Sequence, residues 1–216
     1  GMAEFVLMSV LLLHRGMPEL VNAQHEKNWA RLFSPSAADL SVGIMGYGAL
    51  GQHCAKALKP LGYKINSWSN TPKADEAGVQ HFYGLKELDA FLASSNILVG
   101  LLPSTEETRH LLNEDRLSKL PAKSSVINAG RGSLIAMDDL IKLLDSKHLK
   151  AAILDVFEKE PIPEDHPAWE HSQIMITPHV AAVTRPKTAA KYILHNIKNY
   201  KNNRPLENVL DMKRGY

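Results

Sequence analysis

The ten residues 42–51, VGIMGYGALG, decide how this chain is read. An apolar, β-branched run beginning at Leu40 ends in Gly46-x-Gly48-x-x-Gly51, and a segment of helical periodicity, ALGQHCAKALKPLG, follows at once. That glycine spacing carries little weight alone, but between a strand and a helix it is a dinucleotide-binding signature. Gly46 suits a tight turn. Gly48 lets backbone approach a pyrophosphate, and Gly51 lets the helix sit close on the strand. The start of the helix then offers unpaired N–H groups and the positive end of its dipole to phosphate.

Working outward, strand-like and helix-like segments alternate. YKINSWS, NILVGLLP, SSVINAG, AAILDVF and QIMITPHV read as strands. LKELDAFLASS, NEDRLSKLP, AMDDLIKLLDSKHL and KTAAKYILHNIKNYKNN read as helices, with Asn113 as an N-cap and Gly62 as a helix stop. Several strands are apolar throughout rather than alternating, as strands buried on both faces are. The pattern predicts an α/β fold: a doubly wound parallel sheet of Rossmann type. The stretch NAQHEKNWARLFSPSAADL is polar and irregular and reads as a linker or long loop.

Composition narrows the partners. A formal charge of +2 gives no electrostatic case for nucleic acid or an anionic membrane. One cysteine, Cys54, rules out an internal disulfide and a multi-cysteine metal centre, and no metal site is expected. It fits a reducing, cytoplasmic setting. The opening GMAEFVLMSVLLLHRG is apolar, but His14, Arg15 and Pro18 interrupt it before the roughly 20 residues a membrane span needs. It lacks the basic start and small-residue cleavage site of an export signal. It therefore reads as a helix that must be covered on nearly every face.

An NAD-preferring dinucleotide fold carries an acid about 20 residues past its glycines, at the end of the second strand. Here that place falls in SWSNTPK, at Ser69. An acid would repel a 2′-phosphate, whereas Ser69 and Asn70 would not, and Lys73 can add positive charge. The expectation is NADP(H) in preference to NAD(H).

Three further segments follow strands. NAGRGSL carries Arg131, LDVFEKEP carries Asp155, Glu158 and Glu160, and TPHVAAVTRP carries His179. Ligands of open parallel sheets bind beyond the carboxyl ends of the strands, which directs all three toward one edge. A histidine is a proton donor near neutral pH, a neighbouring carboxylate fixes its tautomer, and an arginine grips a carboxylate bidentately. Together they suit reduction of a 2-oxo acid. Singly, each also reads as an ordinary surface residue.

VGIMGYGALG, NAGRGSLI, AAILDVFEKEP and ITPHVAAVTRP, in this order and spacing, resemble the D-isomer-specific 2-hydroxyacid dehydrogenases. Within that family the likeness, together with SWS and the closing RGY, is to the glyoxylate/hydroxypyruvate reductase group. The resemblance implies catalytic roles for Arg131 (substrate anchor), Glu160 (partner of the histidine) and His179 (general acid/base). It implies cofactor contacts from Gly46, Gly48, Ala49, Leu50 and Gly51 at the pyrophosphate, and from Leu102, Pro103 and Thr108 on the adenosine side. Ala129, Gly130, Arg131, Asp155, His179 and Ala181 would lie toward the nicotinamide. It also implies a hinge helix and dimerisation loop over 1–39, an NAD(P)-binding domain over 40–184, and a returning helix and tail over 185–216. Trp29 would lie in a segment reaching toward a partner subunit, and the apolar opening helix, which in relatives lies near the dimer interface, gives the expectation of a homodimer. Relatives carry a substrate domain ahead of the hinge helix, where this sequence starts. The alternatives are therefore a cofactor-binding module of weak or no activity, sensor or corepressor-like, or an inert fragment.

Overall fold

A computed structural model of the chain describes residues 1–184, 186–207 and 209. Arg185, the closing RGY and most of the final tail lie outside the described residues. Residues 1–181 form one compact unit, and residues from 182 onward form a second that holds helix α7 (Pro186–Lys201).

The first unit is built on seven parallel strands: β1 (Ser41–Met45), β2 (Lys64–Ser69), β3 (Val79–Tyr83), β4 (Ile97–Gly100), β5 (Ser124–Asn128), β6 (Leu149–Leu154) and β7 (Ile174–Ile176). Their order is β3-β2-β1-β4-β5-β6-β7. The chain thus runs outward one way from β1, then returns and runs outward the other way, with the reversal between β1 and β4. Such a switch point opens a crevice at the carboxyl ends of the strands. The register aligns those ends: Met45 pairs with Trp68 and Gly100, and Asn128 pairs with Gly100 and Leu154.

Both faces of the sheet are covered, as its apolar strands require. One face packs under α1 (Met2–His14) and α3 (Ala49–Leu58), burying Val6, Val10, Ile44, Cys54, Leu58 and Ile153. The other packs under α4 (Leu88–Ala93), α5 (Glu114–Leu117) and α6 (Met137–Asp145), burying Trp68, Phe91, Leu98, Leu117 and Leu144. Cys54 is buried in the first cluster, and burial pushes its thiol up to about 11, which makes it a poor nucleophile. Asn113 caps α5 by accepting the Arg116 N–H at 3.1 Å. Gly62 takes a left-handed φ of 91° to stop the turn that extends α3.

Two local expectations are corrected. The polar stretch after α1 is not all loop. Gly16 is left-handed at φ 66° and starts a second helix, α2 (Met17–His25), while Ala37–Asp39 form a 3-10 turn. The irregular arm is limited to residues 26–36. β3 went unassigned because VQHFY is a half-exposed edge strand with little apolar signal. On α1, Met2, Phe5, Val6, Ser9, Val10 and Leu13 are buried, while Glu4, Met8 and Leu11 are exposed.

Candidate active site

Seven parallel strands direct their following loops to one rim, and the site is made from them. At the first loop Gly46 has φ 106°, which favours glycine, and its N–H donates to Trp68 O at 2.9 Å. A Cβ on Gly51 would stand 2.2 Å from Gly46 O, so only hydrogen lets α3 sit this close to β1. A Cβ on Gly48 would meet nothing within 4 Å, which leaves open space at the start of α3. Gly48 provides no side-chain cap there, so the first N–H groups of Ala49 and Leu50 have no side-chain acceptor. These features fit a dinucleotide's pyrophosphate.

The loop after β4 lies against this turn. A Cβ on Gly130 would come within 2.8 Å of Leu102 O, so the β4 and β5 loops are in close contact. Leu102, Ala129 and Gly130 are buried there, and Pro103 is half-buried. Thr108 is buried too. Its hydroxyl donates to Pro103 O at 2.8 Å and accepts the Thr105 N–H at 2.8 Å, so it shapes its own loop.

After β5, Asn128 builds the turn that carries Arg131. Its Nδ2 donates to Arg131 O at 3.0 Å and its Oδ1 accepts the Gly130 N–H at 3.2 Å. Arg131 is exposed, with one guanidinium N–H given to Gly130 O at 2.8 Å. The remaining donors of the fork are available to an anion. Gly132 packs so tightly on Phe157 that a Cβ would lie 1.9 Å from its carbonyl carbon. This contact joins the arginine turn to the loop after β6.

That loop holds the acid. Glu160 Oε1 accepts the Phe157 N–H at 2.9 Å, and Oε2 meets His179 Nδ1 at 2.7 Å. Burial is the largest influence on the Glu160 carboxyl and raises its pKa. The His179 hydrogen bond, the Phe157 N–H and the charges of His179 and Arg131 together outweigh it and hold the pKa below the ordinary value. An ionised Glu160 accepts the proton of Nδ1, leaving Nε2 as the exchanging nitrogen.

Asp155 lies under the histidine. It is 2% exposed. Its carboxylate accepts from Thr177 Oγ1 at 2.5 Å and from the N–H groups of Val180 and Ala181, both at 2.9 Å. Its backbone O accepts the His179 N–H at 2.8 Å. These four bonds bind the 177–181 turn and hold His179 at φ 55°, an unusual conformation for a side chain of this size. The amide of Ala181 is thus committed to Asp155.

Beside the pair opens a cleft of about 400 Å³ lined by Phe157, Pro161, Ile162, Trp169, Ile176 and Pro178 together with Asp155, Glu160, Thr177 and His179. Just outside it, Glu158 binds Arg109 and His110, the latter at 3.0 Å. The His110 hydrogen bond is the main influence holding the Glu158 carboxyl below its ordinary value.

The structure brings Arg131, Asp155, Glu160 and His179 together on the β5–β7 flank. Ser69, Asn70 and Lys73 lie on the other flank of the switch point, after β2. Ser69 is buried and its hydroxyl donates to Thr71 O at 2.8 Å, while Asn70 is exposed. Sequence reasoning missed Asn128, Thr177 and the Arg109–His110–Glu158 cluster. Asn128 acts through two hydrogen bonds and Thr177 through one, inside turns that no spacing rule reveals. Among the described residues no group of acids, histidines or cysteines is arranged for a metal ion, and no helix is long and apolar enough to cross a membrane.

Comparison with known proteins adds to this geometry. Residues 7–181 match the family model of the D-isomer specific 2-hydroxyacid dehydrogenase, NAD binding domain. The chain is 39% identical over 215 residues to glyoxylate/hydroxypyruvate reductase A of Klebsiella pneumoniae, covering 100% of this chain and 69% of that protein. A D-isomer specific 2-hydroxyacid dehydrogenase from Xanthobacter autotrophicus Py2, solved with NADPH and MES, superposes with a TM-score of 0.95 at 42% identity. That match covers 100% of this chain and 88% of the other. An NADPH-dependent glyoxylate/hydroxypyruvate reductase from Sinorhizobium meliloti, solved with NADP and sulfate, gives 0.94 at 37% identity, over 100% and 69% of the two chains.

Proposed function

The chain belongs to the D-isomer-specific 2-hydroxyacid dehydrogenases, and from that premise we propose that it reduces a small 2-oxo acid, of the glyoxylate or hydroxypyruvate type, with NADP(H). The observation that carries this reading is the 2.7 Å hydrogen bond between Glu160 and His179 on the same rim as the glycine turn. The complexes with NADPH and NADP among its relatives support the choice of cofactor, as does the absence of an acid at Ser69.

The glycine turn and the amides of Ala49 and Leu50 hold the pyrophosphate, with Leu102, Pro103, Ala129 and Gly130 along the cofactor. The bound nicotinamide supplies the hydride to the substrate's carbonyl carbon. Arg131 grips the substrate carboxylate and polarises the adjacent carbonyl. His179 gives the proton from Nε2 to the carbonyl oxygen, and takes it back in the oxidative direction. Glu160 accepts Nδ1–H throughout, fixing the tautomer and stabilising the imidazolium. Asp155 and Thr177 hold the turn beneath it. In this assignment residues 40–184 are the cofactor domain, 1–39 the hinge and dimerisation segment, and 185–216 the returning segment. The protein works as a homodimer in a reducing cytoplasm.

The test is NADPH oxidation against a panel of small 2-oxo acids. His179→Ala and Arg131→Ala should each lower turnover by about a hundredfold to ten-thousandfold while cofactor binding persists. Unchanged turnover in either variant overturns its role. A second reading, a cofactor-binding module without turnover, draws on the chain matching only 69% of the length of the reductase-A relative. NADPH binding without oxidation of any substrate would favour it.

A further inference from the structure

The loop between β2 and β3 carries Lys73, which is half-exposed and takes part in no ion pair among the described residues. Two tyrosines fasten that loop from below. Tyr47, the residue between the first two glycines of the turn, donates its hydroxyl to Glu76 Oε2 at 2.8 Å. Lys59, at the end of α3, grips Glu76 Oε1 at 3.0 Å and Ala77 O at 2.6 Å. The hydrogen bond from Lys59, then that from Tyr47, holds the Glu76 carboxyl below its ordinary value, so the clasp stays charged at neutral pH. The second tyrosine, Tyr83 on β3, donates to Lys73 O at 3.1 Å. Between the two tyrosines sits His81. Its ring meets Tyr47 edge-on at 5.2 Å and stacks on Tyr83 at 6.2 Å, while Nδ1 meets Ser67 Oγ at 2.6 Å. The tops of β1, β2 and β3 are thus wedged into one aromatic block, and the loop is tied to it at residues 73 and 76–77.

A loop of this kind needs such ties if it is to present charge. A mobile lysine loses side-chain and backbone entropy on meeting an anion, and fixing the backbone in advance lowers that cost. Of the two carboxylates on this loop, Glu76 is neutralised by Lys59 and turned toward Tyr47, while Asp75 is exposed and takes part in no ion pair among the described residues.

We propose that Lys59, Tyr47, Glu76 and Tyr83 form a two-point clasp that positions Lys73 against the 2′-phosphate of the cofactor, making them positioning residues for the choice of NADP over NAD. This rests on the NADP reading given above and identifies what, within this chain, enforces it.

The experiment measures binding rather than turnover. The full chain is titrated calorimetrically with adenosine 2′,5′-bisphosphate and, separately, with adenosine 5′-monophosphate, which lacks only the 2′-phosphate. The wild type should prefer the bisphosphate. Tyr83→Phe and Lys59→Met should each weaken bisphosphate binding by about fivefold, the effect of roughly one hydrogen bond, and leave the monophosphate within about twofold. Lys59→Arg should restore the preference. Equal loss for both probes would reduce the clasp to a structural role, and no loss for either would remove it from cofactor choice; both results overturn the proposal. A wild type without preference would overturn the NADP reading and the clasp together, so that failure shows before any variant is made.

Discussion

Asp155 has the most constrained side chain of the site, and its consequences are local. A buried carboxylate accepting three donors is matched to them by charge and by its acceptor-only character. Asp155→Asn would turn an amide donor toward donors. A loss of roughly 2–3 kcal/mol of stability is expected, read from denaturant unfolding, along with a fall in turnover as His179 shifts. Glu160 bears on pH. Glu76, Glu158 and Glu160 all titrate below the ordinary carboxyl value of 4.5. Each therefore adds stability that is fully present above that value and is lost as pH falls through the lowered one. The thermal midpoint should hold steady from neutral pH down to the ordinary carboxyl range and then drop, and Glu158→Gln should soften the drop in a melting series. All three are partly exposed, so the effect of each is modest. At this scale the sequence was legible where chemistry follows a strand end, as at Arg131, Glu160 and His179. It was opaque where a residue works through backbone in a turn. Asp155 read as a cofactor neighbour because its place after β6 is visible, whereas its four hydrogen bonds depend on the 177–181 turn folding back over it.

Among elements, the glycine turn separates two requirements that the motif writes alike. Gly51 is needed for packing, since a methyl group there meets backbone at 2.2 Å. Gly48 faces open space and has φ −80°, which alanine adopts freely. Gly48→Ala should therefore keep the melting temperature within about a degree or two while weakening NADPH binding. Gly51→Ala should lower both, because α3 must move off β1. Calorimetric melting and cofactor titration on the two variants distinguish them. The core strands β1, β4 and β6 were plain in the sequence because burial on both faces leaves largely apolar runs, whereas β5, SSVIN, is marked by Val126 and Ile127 and by the glycine turn that follows it. β3 and α2 were not. β3 pairs on one side only and mixes polar with aromatic residues, while α2 starts from a left-handed glycine and buries only Pro18 and Ala23.

Over the whole molecule, the two most exposed large apolar side chains among the described residues stand on the arm that follows α2. On the arm 26–36, Trp29 is 90% and Phe33 95% exposed, and Met8 and Leu11 of α1 add to them. A second cleft of about 400 Å³ opens beside the arm between Leu20 and Ala30. Exposed aromatic residues of this kind are what the proposed homodimer would cover. Light scattering should report a dimer, and Trp29→Ala with Phe33→Ala should shift it toward monomer; a wild-type monomer at micromolar concentration would refute the homodimer.

The chain's three tryptophans experience three different surroundings. Trp68 is sealed in the sheet with Nε1 bonded to Gly84 O, Trp169 is half-exposed at the mouth of the cleft beside His179, and Trp29 stands on the arm. Their emission should differ in colour accordingly, blue for the first and red for the last. Single-tryptophan versions would turn one optical signal into three: melting of the sheet, filling of the cleft, and docking of the arm, each followed in time without a label.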